Sequence, residues 1–134
     1  MTPARAETEP RQLTPAQLAG EIVRHALEKK AHEIVELDMR GLVGYTDCFV
    51  ICTGNTDRQV KAIHDGILAG VKRERGRTPR RVEGLGRAQW VLMDYLDAVV
   101  HIFTPVTREF YRLEQLWGEA PARQVEPEGE VTSR

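Results

Sequence analysis

A chain of 134 residues, 41% of them hydrophobic, can bury one core and is too short for two comfortable ones. Its 19 Lys and Arg nearly balance 20 Asp and Glu, which excludes a global positive field able to hold a long polyanion, so a nucleic-acid contact has to be local. Cys48 and Cys52 sit inside one apolar run, which suits a reducing compartment better than a disulfide scaffold. No apolar stretch approaches the ~20 residues of a membrane helix and the opening residues lack a signal-peptide core, so a cytoplasmic location without membrane contact is expected.

Residues 1–13 and 119–134 are polar, rich in Pro, Glu and small residues, and without an apolar period; they are expected to be flexible tails around a domain spanning 14–118. Thr14-Pro15-Ala16-Gln17 carries an N-cap hydroxyl, a proline at the first helical position and a Gln placed to close a capping box. Leu18, Ile22, Val23, Ala26 and Leu27 then fall on one helical stripe, giving an amphipathic helix to about Lys30. Residues 33–39 read as a strand. The uninterrupted apolar run 47–53 reads as a central strand buried on both faces. Thr56, followed by Gln59, caps a second helix with the stripe Val60, Ile63, Ile67 and Val71, which Gly76 and Pro79 end. Strands at 81–85, 89–95 and 98–103 follow too closely to be anything but antiparallel neighbours. Thr104-Pro105 opens a last helix with an expected buried stripe of Val106, Phe110, Leu113 and Trp117. The pattern predicts an α/β single domain, a mixed sheet of about five strands flanked by three helices.

Several constellations could carry chemistry. The turn Thr53-Gly54-Asn55-Thr56 offers backbone N–H groups that could hold a phosphate, but it lacks both the P-loop ending and the three-glycine pattern, and a tight turn explains Gly and Asn without a ligand. Glu36 and Asp38 alternate onto one strand face and could hold magnesium, as a magnesium-dependent nucleotidyltransferase-like enzyme would require; solvent-facing strand residues are the plainer account. Cys48 and Cys52 lie about 13 Å apart at the strand rise, against the about 4 Å that two thiolates on one zinc allow, so they are not co-ligands. His101 interrupts an apolar strand and reads as a hydrogen-bonded sheet histidine rather than a base. Lys72, Arg73, Arg75, Arg77, Arg80 and Arg81 form a basic cluster, either a dipole-matched solvated surface or a contact to RNA phosphate, as an RNA-binding module would use it. In residues 90–95, Trp90, Leu92 and Asp94 share one face while Val91, Met93 and Tyr95 share the other. An acid beside a large aromatic suits a protein interface, although core packing accounts equally for Trp90 taken alone.

The blocks Asp47 to Val60, Val82-Glu83-Gly84, Trp90 to Tyr95, Val99 to Phe103 and Arg108 to Trp117 together resemble the ribosomal silencing factor family, RsfS/Iojap, over about residues 18–118. The resemblance implies a fold similar to nucleotidyltransferases without their catalytic residues, no enzymatic activity and no cofactor. It further implies binding to ribosomal protein L-fourteen on the large subunit, blocked joining of the small subunit, and repression of translation under nutrient limitation. Trp90, Asp94 and Tyr95 match the strand implied to form much of that contact, with Glu83 a neighbour. A local ribosomal RNA contact and a homodimer of the unbound protein stay open. One departure is visible: Leu96 stands where the family usually has a glycine in the hairpin, and Leu is costly at positive φ.

Overall fold

The computed structural model describes residues 13–125. Thr14 caps helix α1 (Pro15–Glu28) with both bonds of the box: the Gln17 N–H donates to Thr14 Oγ1 at 3.1 Å and the Thr14 N–H to Gln17 Oε1 at 2.9 Å. Its apolar stripe, Leu18, Ala19, Ile22, Val23 and Ala26, is buried. Strands β1 (His32–Asp38) and β2 (Cys48–Thr53) follow, then helix α2 (Asp57–Arg75). Thr56 caps α2, but Gln59 does not close a second box. Its amide donates instead to the carbonyls of Lys29 and Lys30, tying the start of α2 to the end of α1. Val60, Ile63, Ile67 and Val71 are all buried, and Gly76 ends the helix at φ 70°.

Strands β3 (Arg81–Glu83), β4 (Trp90–Asp94) and β5 (Ala98–Phe103) are successive antiparallel neighbours. The sheet order is β3-β4-β5-β2-β1-β6, and only the central pair, β2 with β5, is parallel. Every residue of both central strands is buried, as their apolar runs require. Helices α1 and α2 cover one face over Cys48, Val50, Cys52, Val91, Met93 and Val100. The other face carries a second cluster around Phe49, Ile51, Val99 and Phe103, with Trp90 and Leu92 only partly buried against it.

Two expectations are corrected. The sheet has six strands, because β6 (Ala122–Val125) pairs antiparallel with β1 inside the stretch expected to be a tail from 119; residues 1–12 and 126–134 lie outside the described residues. A four-residue strand held by backbone bonds to an edge needs no apolar period, so nothing in its side chains announces it. The last helix is two short ones, α3 (Pro105–Tyr111) and α4 (Leu113–Leu116), broken at Arg112 with φ 44°. Half of its predicted stripe faces out: Val106 is 79% and Phe110 76% exposed and Arg108 is the buried residue of α3, whereas Leu113 is buried and Trp117 packs against the core as expected.

The β4–β5 hairpin turns on Leu96 at φ 78°, where the Asp97 N–H donates to the Tyr95 carbonyl at 2.9 Å and closes a three-residue turn. Left-handed backbone costs a β-carbon residue about 1–2 kcal/mol, and glycine's extra unfolded-state entropy returns about 0.5–1 kcal/mol of that. Leu96→Gly is therefore expected to raise stability by about 0.5–1 kcal/mol, read as a higher urea midpoint at constant slope. A lower midpoint would show that the Leu96 side chain contributes more than its backbone strain costs.

Candidate partner-binding site

The incompletely covered face is built by register. Trp90 pairs with Phe103, Leu92 with His101 and Asp94 with Val99, so all six side chains rise on the side away from α1 and α2. The Trp90 indole N–H donates to His101 Nδ1 at 3.1 Å, which places the imidazole proton on Nε2. The indole ring lies 5.0 Å from Phe103 and 4.8 Å from Tyr111, and Phe49 meets His101 edge-on at 4.7 Å. Burial in this aromatic setting lowers the His101 pKa from 6.5 to about 4, so the ring is neutral near pH 7.

Two grooves flank this centre. One, of about 490 Å³, is walled by Tyr45, Arg80, Arg81, Leu92, Asp94 and His101. The other, of about 360 Å³, is walled by Gly84, Arg87, Trp90, Val106, Phe110 and Tyr111. Gly84 belongs there for a steric reason: at φ 86°, a Cβ would lie 2.0 Å from the Trp90 carbonyl oxygen, so no other residue lets the chain pass β4 this closely.

Of the residues expected at a partner contact, Trp90, Asp94 and Glu83 share this face; Glu83 is opposite Leu92 and Arg81 opposite Asp94 across β3 and β4. Asp94 is 6% exposed and accepts from the Leu96 N–H at 2.8 Å and Arg80 at 3.1 Å. Tyr95 is not brought together with them. It is 1% exposed on the helix side, burial raises its phenol to about 12, and a contact role for its side chain is withdrawn. Trp90 is neither a wholly exposed anchor nor a core residue: half-buried, it is propped from behind by His101 and Phe103.

The basic cluster is largely engaged with its own chain. Arg75 pairs with Glu21 at 2.9 Å, Arg77 donates to the Tyr95 carbonyl at 2.7 Å, Arg73 lies 3.7 Å from Glu74, and Arg80 and Arg81 both approach Asp94. Lys72 makes no ion pair among the described residues. In the Gly54 turn the Gly54 N–H bonds to Phe103 O, and the Asn55 N–H to Gln59 Oε1 at 2.6 Å. A Cβ on Gly54 would crowd Val60 and Ile63 at 3.1 Å, which is a packing reason for glycine. Glu36 pairs with Arg123 and Asp38 with Arg40, which holds the Asp38 carboxyl at about 2. Burial raises both cysteine thiols to about 12. Sequence reasoning missed Tyr45, Val106, Phe110 and Tyr111, which form most of the exposed apolar surface around Trp90. The available signal was Arg108: once a residue two positions from both Val106 and Phe110 faces inward, those two face out.

Residues 12–134 match the family described as ribosomal silencing factor during starvation. The chain belongs to the ribosomal silencing factor family. A member from Halalkalibacterium halodurans is 45% identical over 106 residues, covering 78% of this chain and 87% of that one. The member from Bacillus subtilis is 45% identical over 94 residues, 70% of this chain and 79% of that one. The chloroplast protein Iojap of Zea mays is 35% identical over 105 residues, 76% of this chain and 44% of that one. Among solved structures, a Chromobacterium violaceum protein superposes with a TM-score of 0.76 at 29% identity, covering 87% of this chain and 98% of that one. Membership and fold thus agree with the mixed sheet and helices of this silencing-factor chain.

The buried histidine gives this domain a pH signature. With a folded pKa of about 4 against 6.5 unfolded, the unfolded chain binds more protons between those values, so stability falls as pH drops through that window. The loss approaches about 3 kcal/mol near pH 4. His101→Asn, which keeps an acceptor toward Trp90, is expected to flatten this part of the pH profile of the denaturant midpoint. An unchanged slope between about pH 6.5 and 4 would assign the dependence to other groups.

Proposed function

We propose that this chain represses translation as a steric silencer: its aromatic face docks on ribosomal protein L-fourteen of the large ribosomal subunit and blocks joining of the small subunit when nutrients are scarce. The observation that carries this reading is the exposed apolar cluster of Val106, Phe110 and Tyr111 around the half-buried Trp90. Rigid aromatic anchors beside polar groups are what a specific protein contact uses. Trp90 lies at its centre and Glu83 at its rim, while Asp94, at the other groove further along β4, acts from beneath through Arg80 and Arg81. Relatives are named for silencing of ribosomes, and a mouse relative, 30% identical over 92 residues, for assembly of the mitochondrial ribosomal large subunit. Such a factor works in the compartment that holds ribosomes, here the cytoplasm. Among the described residues no helix is long and apolar enough to cross a membrane.

The phosphate-handling alternative loses its geometry, because the turn donors and the strand acids are already bonded within the chain. We read an RNA contact through residues 72–81 as a rim contribution, because Arg75 and Arg77 are bonded within the chain while Arg73, Arg80 and Arg81 remain largely exposed. When ribosomes are absent, a second copy of the chain could cover the same apolar cluster, giving a homodimer.

The test is co-sedimentation with purified ribosomal subunits, together with light scattering of subunit joining. The chain is expected to pellet with the large subunit and to slow joining. Phe110→Ser, at an exposed position, should alter stability by no more than about 0.5 kcal/mol and weaken large-subunit binding by about 2 kcal/mol, roughly thirtyfold. Undiminished binding by a folded Phe110→Ser variant would move the interface elsewhere, and equal pelleting with either subunit would remove the steric account.

A further inference from the structure

Far from that face, α1 and α2 cross where α2 has no side chain. A Cβ at Gly70 would lie 2.4 Å from the His25 ring, so the imidazole is seated directly on the backbone of α2. His25 is 1% exposed; its Nδ1 lies 3.5 Å from Glu28 Oε1 and its Nε2 3.3 Å from Glu74 Oε1, and neither contact has hydrogen-bond geometry. Every imidazole carries at least one N–H, and leaving a buried polar group unbonded costs about 1–3 kcal/mol. Such a group calls for an explanation, an ion among them.

The surroundings supply one. His25 Nε2 stands 3.3 Å from Glu74 Oε1 and 4.0 Å from Glu21 Oε1, and donor atoms of the three residues all lie within 4.8 Å of one another. Ligands of one tetrahedral zinc ion, each about 2.0–2.1 Å from the metal, stand about 3.3 Å apart. The spacing of four residues puts Glu21 and His25 on one face of α1, and Glu74 reaches them from the last turn of α2.

We propose that Glu21, His25 and Glu74 form a binding site for a divalent transition-metal ion of the zinc class, joining α1 to α2. His25 ligates through Nε2, each carboxylate through one oxygen, and water completes the set. One nitrogen with two carboxylate oxygens suits zinc; magnesium and calcium favour oxygen-only sets. Arg24 bonds to both Glu21 and Glu74, and Arg75 to Glu21. These bonds leave room for an ion, because an ionised carboxylate offers about four lone-pair sites. The Arg24 side chain is 48% exposed and can swing into solvent.

The experiment is calorimetric titration of the full chain with zinc chloride at about pH 7.5, and with cobalt chloride followed by visible absorption. One saturable site is expected, with the absorption bands of four- or five-coordinate cobalt and a thermal midpoint that zinc raises. Glu74→Gln, at a partly exposed position, and His25→Gln should each weaken zinc binding at least about tenfold, since even removal of an outer-shell partner costs ten- to hundredfold. Asp65→Asn, beside His64, should leave it unchanged. Absence of saturable zinc uptake overturns the proposal. So does binding of wild-type tightness by a Glu74→Gln variant with intact circular dichroism, and that comparison decides the matter should His25→Gln fail to fold.

Discussion

A single buried guanidinium determines the shape of the exposed face. Arg108 donates to the Glu33 carbonyl at 2.6 Å, to Thr53 Oγ1 at 2.8 Å and to Glu114 at 2.7 and 3.0 Å, joining the start of β1, the end of β2 and both short helices. Glu33, at φ 51° in a bulge of β1, is the residue whose carbonyl it captures. A buried ion pair adds little net stability, because desolvation offsets the attraction, but removing one partner strands the other charge. Its consequence here is orientation. At about 100° per residue, Val106 and Phe110 lie about 200° from Arg108 and must point to solvent. The left-handed Arg112 then ends α3, and the chain returns Leu113 and Trp117 to the sheet, where Trp117 meets Phe49 edge-on at 6.4 Å.

The two faces of the sheet consequently obey different rules. The helix side is filled by aliphatic stripes and is closed. The opposite side is organised by two polar groups: the indole N–H held by His101 and the Asp94 carboxylate held by the hairpin and Arg80. These bonds order Trp90 before any partner arrives. Ordering a large side chain on binding costs about 0.5–1.5 kcal/mol, so a propped ring retains more of its contact energy than a mobile one. A neutral His101 is necessary for that prop, because a doubly protonated ring offers the indole no acceptor.

Much of the fold was legible because local chemistry and global architecture agree. The Thr14 box, the Thr56 cap, the run 48–53 and the close succession of strands between 81 and 103 each dictate one element. The misreadings share a cause. The 105–117 segment has an apolar helical stripe that is real in sequence, yet a buried polar contact outranks it and rotates the helix. Strand β6 is specified by backbone pairing, with only the Arg123–Glu36 ion pair and Val125 added by its side chains. The face of Tyr95 was readable from alternation with Trp90, and only the resemblance argued for placing it in the contact. The site itself was half legible: Trp90 and Asp94 announce it, whereas Tyr45, Phe110 and Tyr111 join it only through the tertiary fold.

Asp94 shows how a motif residue can matter without being touched. Its Oδ1 is occupied by the Leu96 N–H and its Oδ2 by Arg80, with Arg81 close behind. A surface approaching this end of the sheet therefore meets two guanidinium groups, both more than half exposed, rather than the acid between them. The same carboxylate braces the backbone at Leu96, which adopts a positive φ despite its Cβ. One buried acid thus couples the strained hairpin to the charge displayed beside Trp90. Removing it would disturb the turn and release both arginines together, so a loss of binding on substituting Asp94 cannot by itself be read as the loss of a direct contact.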